Sequence, residues 1–293
     1  MDTDGISLTK YLSSCGVCSR RGSEKLISSG QVTINGRTAE RGCERVMPGD
    51  RVEFNGEPVA PQTEKFYIML NKPRGYVCTL EDRHAAKKAV DLIPQAKFTR
   101  LVSAGRLDKD SEGMILFSND GDFIARLTHP RYEVEKTYRV SLSGELAPEA
   151  IRRLTESGVP DNGEILRARA IRTIGPGRYD FILGEGKNRE IRRMAAYFHL
   201  DVKRLARTAV GAVRLGSLPC GQCRTLTPDE INALFQTSST RSQYARVCQT
   251  AGRPDPSPAG IRRRPRRQPG NRTDPQVPRR QGTALHRGGN GRT

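Results

Sequence analysis

The chain has 293 residues, with 50 Lys and Arg against 32 Asp and Glu and a net charge of +18. That length allows one large or two ordinary domains with a real core. The charge points to a polyanion, nucleic acid before an anionic membrane surface, since no amphipathic basic helix stands out. No apolar run approaches a membrane span, and "MDTDGISLTK" lacks the charged and apolar regions of a signal peptide. Seven scattered cysteines fit free thiols in a reducing compartment. We therefore expect a cytoplasmic monomer without a membrane partner.

Residues 6–60 read as a small αα-β unit. "SLTKYLSSCG" carries Leu8, Tyr11 and Leu12 on one helical face and stops at Gly16. Ser19 can N-cap a second helix that ends at Gly30. "QVTINGRTA" alternates and turns at Asn35 and Gly36, a strong hairpin signal, and "VMPGDRVEFNG" supplies another turn and strand. Lys10, Arg20, Arg21 and Lys25 lie on and between the helices, either as a phosphate-reading face or as an ordinary solvated one.

After the Pro-containing linker "EPVAPQTEK", residues 66–236 read as a larger domain. Its expected strands are "YIML", "GMILFS", "EKTYRVSL", "ILRARAIRTI" and "RYDFILG"; its expected helices are "GDFIARLTH", "APEAIRRLTESG", "REIRRMAAYFH" and "TPDEINALF". Strands joined by single helices predict an α+β fold with a mixed, mostly antiparallel sheet. Residues 237–293 hold thirteen Arg against two Asp, leaving +7 of the total for residues 1–236. This Pro, Gly and Arg-rich tail has too few large apolar residues to offset ordering entropy, so it is expected to be disordered and to add sequence-independent affinity for RNA.

One stretch stands out in so basic a chain: "GRLDKDSEGMILFSNDGDF", residues 105–123, with Asp108, Asp110, Glu112 and Asp120. The first three imitate the start of a calcium loop, but the closing Glu of that motif falls on Asn119 and the chain runs into an apolar strand after Gly113. A solvated acidic turn is the plainer reading. A carboxylate anchored beside a core strand and facing a cleft is the sharper one. Two C-x-x-C pairs, Cys15 with Cys18 and Cys220 with Cys223, raise a four-thiolate zinc site. Roughly 200 residues separate them, and burial as small apolar side chains is the plainer account of each pair.

The acidic stretch resembles the signature of the RsuA/RluB/RluE/RluF family of ribosomal RNA pseudouridine synthases, G-R-L-D-x-x-[ST]-x-G followed by an apolar strand and [ST]-[NT]-D-G. "NKPRGYVCT", "HPRYEVEKTYRV" and "EGKNREIRRM" resemble further segments of that family, in order. Residues 7–37 resemble the small RNA-binding domain named after ribosomal small-subunit protein four. The resemblance covers roughly residues 6–236, and the tail lies outside it.

The resemblance implies an isomerase that detaches uracil from its ribose, turns it and rejoins it through carbon 5. This chemistry is redox-neutral and calls for no cofactor and no metal. Asp108 is implied as the catalytic carboxylate, either attacking the anomeric carbon or removing the 2′ proton, on a base flipped from its stack. Arg192 is implied as the cation that keeps Asp108 ionised, and Tyr138 as the ring that stacks on the uracil and shares in proton transfer. Arg106 can enter the vacated stack or hold phosphate, and Lys72 and Lys136 are weaker phosphate candidates. The implied partner is ribosomal RNA or a precursor particle, with 23S RNA favoured. A catalytically idle RNA-binding protein, or a synthase acting on 16S RNA, is the alternative.

Overall fold

The computed structural model describes residues 5–79 and 87–235. The predicted tail falls outside these residues.

In the N-terminal part, α1 (Leu8–Ser14) and α2 (Arg20–Ser28) pack on a four-stranded sheet of β1 (Val32–Ile34), β2 (Arg37–Thr38), β3 (Val52–Phe54) and β4 (Glu57–Pro58). The sheet order is β2-β1-β3-β4. Ser19 caps α2 by accepting the Gly22 N–H. Asn35 and Gly36 adopt φ of 51° and 78°, the left-handed pair that a two-residue hairpin needs. Leu8, Leu12, Ile27, Val32 and Val52 close the core between helices and sheet.

The larger part is built on a nine-stranded sheet. Its elements in chain order are β5 (Tyr67–Lys72), β6 (Val102–Ser103), β7 (Glu112–Ser118), α3 (Gly121–Thr128), β8 (Lys136–Leu142), α4 (Pro148–Glu156), β9 (Ala170–Gly175), β10 (Arg178–Leu183), α5 (Glu190–Tyr197), β11 (Val202–Val210), β12 (Cys223–Thr225) and α6 (Pro228–Ala233). The main path is β9-β10-β8-β11-β7-β5-β12, with β6 on β7 and Val213–Arg214 on β11. The β11–β7 pairing is parallel and the other pairings are antiparallel, so the sheet is mixed and mostly antiparallel.

Both faces of the sheet are covered. Ile68, Leu70, Ile115 and Phe117 join the α4 and α5 side, while Met69, Met114 and Leu116 join the α3 and α6 side. Burial on both faces explains why "YIML" and "GMILF" are continuous apolar runs rather than alternating ones.

Two expectations change. "ILRARAIRTI" is broken rather than a single strand. Glu164–Leu166 pairs with Val159–Asp161 in a separate hairpin, and only β9 enters the main sheet. The break falls at Arg169, whose guanidinium turns to Glu133 and Glu135. The central strand β11, "VKRLARTAV", is also present where the basic residues masked any strand pattern.

Candidate active site

Asp108 lies on the loop that leaves β6 and returns along β7. The loop is pinned at three points. Ala104 N–H donates to the Leu116 carbonyl at 2.7 Å, Ser111 N–H to the Asp108 carbonyl at 3.1 Å, and Gly75 N–H to the Lys109 carbonyl at 2.7 Å. A fourth tie comes from below: the Lys72 ammonium donates to the Ser111 carbonyl at 2.7 Å and the Pro73 carbonyl at 2.9 Å. Lys72 is fully buried. The expectation that it contacts phosphate is therefore corrected, because it is buried and two of its three donors are held by the Ser111 and Pro73 carbonyls. Burial also holds its ammonium below the ordinary lysine range, with Asp110, Asp108 and Glu112 among the groups opposing the shift.

The Asp108 side chain borders a cleft of about 260 Å³ lined by Arg106, Ser111, Tyr138, Asn188, Arg189 and Glu190 among others. Tyr138 is 8% exposed and sits on β8 opposite Phe181 and Arg207 of the flanking strands. Its hydroxyl accepts from Arg207 Nη1 at 3.4 Å. Arg106 is exposed at the mouth.

The cation beside Asp108 is Arg189. Its Nη1 lies 3.9 Å from Asp108 Oδ2 and 3.6 Å from Asp110 Oδ1. Arg192, expected to pair with Asp108, instead meets Asp110 Oδ2 at 2.8 Å. The reason is helical spacing. Arg192 belongs to the first turn of α5 and reaches the loop further along, while Arg189, the residue before the helix, reaches Asp108. Arg189 adopts a left-handed backbone, φ 48°, which costs a non-glycine residue strain of order 1 kcal/mol. Behind it, Glu190 is 3% exposed and caps Lys187 N–H, and burial pushes its carboxyl up to about 7.

Sequence reasoning also missed Arg207. It is 4% exposed, and its Nε donates to the Met114 carbonyl at 2.7 Å. Among the described residues no carboxylate pairs with it. Gly113 makes room for its strand: a Cβ there would stand 2.7 Å from Arg207 N, and Gly113 holds φ +99°. This gives a physical reason for the glycine in the acidic signature. Of the remaining candidates, Lys136 borders a small cleft with His129, Gly186 and Lys187, and burial lowers its ammonium to about 8, helped by Arg207 and Arg169. Lys10 and Arg20 border a separate cleft near α3, and Arg21 is exposed on α2.

The cysteine pairs do not converge. Cys15 and Cys18 flank the α1–α2 turn, whereas Cys223 lies on β12 with its thiol toward the Leu92 carbonyl at 3.9 Å. Among the described residues no three His, Cys, Asp or Glu side chains gather as a metal site. No described helix is long and apolar enough to cross a membrane.

Residues 66–197 match the RNA pseudouridylate synthase family, and residues 7–52 match the S4 domain. The dual-specificity RNA pseudouridine synthase RluF of Shigella flexneri is 36% identical over 260 residues, covering 88% of this chain and 87% of that one. The chain belongs to the RsuA/RluB/RluE/RluF family of ribosomal RNA pseudouridine synthases. This pseudouridine synthase is also 34% identical to an uncharacterized RNA pseudouridine synthase of Aquifex aeolicus, over 79% of this chain and 94% of the relative. A crystal structure of a pseudouridylate synthase superposes with a TM-score of 0.58 at 30% identity, covering 78% of this chain and all of the other. The share matched to RluF is larger than residues 1–236 can supply, so the likeness runs into the tail, which the motifs alone had left outside it.

Proposed function

We propose that this synthase isomerises a uridine of ribosomal RNA, 23S RNA being favoured, with Asp108 as its catalytic carboxylate. The observation that carries this reading is the convergence of Asp108, Tyr138 and Arg189 on one cleft built from three separated segments of sequence.

In this reading the target base leaves its stack and enters the cleft, where the Tyr138 ring packs against it. Asp108 either bonds to the anomeric carbon as N1 departs, or takes the 2′ proton so that a C1′–C2′ double bond forms as N1 departs. The ester breaks, or the proton returns to C2′, when carbon 5 bonds to C1′. Arg189 keeps the carboxylate paired, and Arg192 acts one step removed, by fixing Asp110 and the loop. The released uracil turns and bonds to the sugar through carbon 5. Carbon 5 then gives up its proton, whose electron pair restores the ring double bond, while N1 gains a proton. The Tyr138 hydroxyl, which borders the cleft and accepts from Arg207, is the group we assign to relay that proton. Atoms and electrons balance without a cofactor. Arg106 holds the vacated stack or a neighbouring phosphate, and Lys136 adds charge beside the cleft.

Residues 6–60 are assigned to RNA binding, with Lys10, Arg20 and Arg21 facing the duplex or loop. Residues 66–236 carry the chemistry, and the tail at 237–293 adds electrostatic affinity. We place the protein in the cytoplasm as a monomer working on ribosomal RNA or its precursor particles.

The test is pseudouridine mapping of 23S and 16S transcripts after incubation with the purified full-length protein. One new site in 23S RNA supports the proposal. A site confined to 16S RNA replaces the substrate, and no site in either favours an idle RNA-binding role.

A further inference from the structure

Three clefts on the surface share residues. The Asp108 cleft and the Lys136 cleft both include Gly186 and Lys187. The Lys136 cleft and a third, of about 470 Å³, both include Thr128. That third cleft lies between α1 and α2 on one side and the far end of β7 on the other, and Lys10, Arg20, Lys65 and Arg100 all border it. The three clefts thus adjoin one another along the surface. From the start of β7, next to Asp108, to its end at Ser118 is about 20 Å at ~3.3 Å per residue.

The third cleft is held in shape. Gln62 N–H donates to the Ser14 carbonyl at 3.0 Å, while its side-chain oxygen accepts from Thr99 at 2.9 Å and Asn119 at 3.0 Å. One residue of the linker therefore ties α1 to the end of β7. Arg20 reaches across the gap, since a Cβ on Gly121 would stand 4.0 Å from its Nη2. Lys10 is paired with Asp122 at 3.3 Å, but among the described residues Arg20, Lys65 and Arg100 have no ion pair. Asp120 and Asp122 also line the cleft, but Asp122 is paired with Lys10 and Asp120 accepts from Tyr67, so the four cations leave the cleft net positive and suited to an external anion.

Beside them in the chain is Phe98, 70% exposed, the most exposed large apolar side chain among the described residues. It packs edge-on to Phe66, with centroids 6.0 Å apart, and so presents a braced ring to solvent. Unpaired cations in a groove together with an exposed aromatic ring make the pattern by which single-stranded RNA is bound without regard to sequence.

We propose that this third cleft seats the RNA strand flanking the target uridine, with Lys65, Arg100 and Arg20 on its phosphates and Phe98 stacked on one of its bases. The site rests on the reading of the Asp108 cleft as the place of reaction, and it extends that reading to the path of the substrate.

The experiment measures affinity of the full-length protein for a labelled single-stranded oligouridylate across a salt series. Lys65→Glu with Arg100→Glu is expected to weaken binding at least about tenfold and to reduce the salt slope by about 1.4, two phosphates at ~0.7 each. Phe98→Ala is expected to weaken binding about fivefold or more with the slope unchanged, since stacking releases no counterion. Lys65→Ala with Arg100→Ala gives the same direction with a smaller loss. The Lys65 and Arg100 variants melt with the wild type because those groups have no ion pair among the described residues. Phe98→Leu, which keeps an apolar contact on Phe66 without the ring, separates stacking from any loss of stability in Phe98→Ala. Arg152→Glu with Arg178→Glu, off the cleft, serves as control. Wild-type affinity and slope in the Lys65 and Arg100 variants, or an equal loss in the control, overturns the site. Failure of the Asp108 reading registers separately, as pseudouridine formed by Asp108→Asn.

Discussion

Arg207 and Tyr138 face each other across two paired strands, and the guanidinium donates to the phenol oxygen at 3.4 Å. A buried cation with no carboxylate is expensive, so its position under the one aromatic hydroxyl of the cleft points to work done through that hydroxyl. Tyr138→Phe is expected to lower the single-turnover rate by about 10²–10⁴, the range of a positioned proton-transfer group. Arg207→Met is expected to cost about tenfold or more in the wild type and little further in Tyr138→Phe. Losses that multiply in the double variant would assign Arg207 to structure alone.

Arg189 offers a second separation of stability from activity. Its left-handed backbone suits glycine, and its two ion pairs are half exposed and so contribute little. Arg189→Gly is expected to hold or raise the melting temperature while the rate at saturating RNA falls about tenfold to a hundredfold. Arg192→Ala, which removes the nearer of the two cations on a partly exposed Asp110 and leaves Arg189, is expected to cost up to about 1 kcal/mol of stability and little of the rate. Melting curves and single-turnover rates on the same two proteins decide which arginine serves Asp108.

Glu190 makes stability depend on pH. Its carboxyl is raised to about 7 in the folded chain, above its unfolded value. Between the ordinary carboxylate range and pH 7 the folded state therefore binds the extra proton, and stability falls as pH rises through that window. Glu190→Gln removes this slope. Urea titrations are expected to show the variant equal to the wild type near pH 4 and more stable by about 1–3 kcal/mol at pH 8. A variant less stable at pH 8 contradicts the assignment.

Lys72 is expected to behave as a clamp. Lys72→Met keeps the apolar stem but leaves the Ser111 and Pro73 carbonyls unpaired, at about 1–3 kcal/mol. Because the freed loop carries Asp108, the rate at saturating RNA should fall more than RNA affinity does. A loss in affinity and salt slope alone would restore Lys72 as a phosphate contact.

Much of the fold is legible in the sequence because its punctuation is local. Ser19 and Thr227 cap the helices their positions predict, and Asn35 with Gly36 makes its hairpin. The strand β11 was not legible. Lys203, Arg204 and Arg207 interrupt its apolar alternation, and its register with β8 slips between Thr137 and Tyr138. The fold spends a buried arginine there, which no apolar period can signal. Asp108 and Tyr138, singled out from motifs, both border one cleft. The exchange of Arg189 for Arg192 beside Asp108 depends on where α5 begins, within a motif that contains both residues, and element boundaries are what sequence fixes least. Lys72 misled for a similar reason: a lysine reads as exposed until the chain around it is folded.

The most direct measurement is pseudouridine mapping at single-nucleotide resolution in ribosomal RNA from cells lacking the protein and from cells carrying only Asp108→Asn. The account predicts that the same site disappears in both, while the Asp108→Asn protein is still made and still binds RNA. A site that persists in the Asp108→Asn cells contradicts the role given to Asp108.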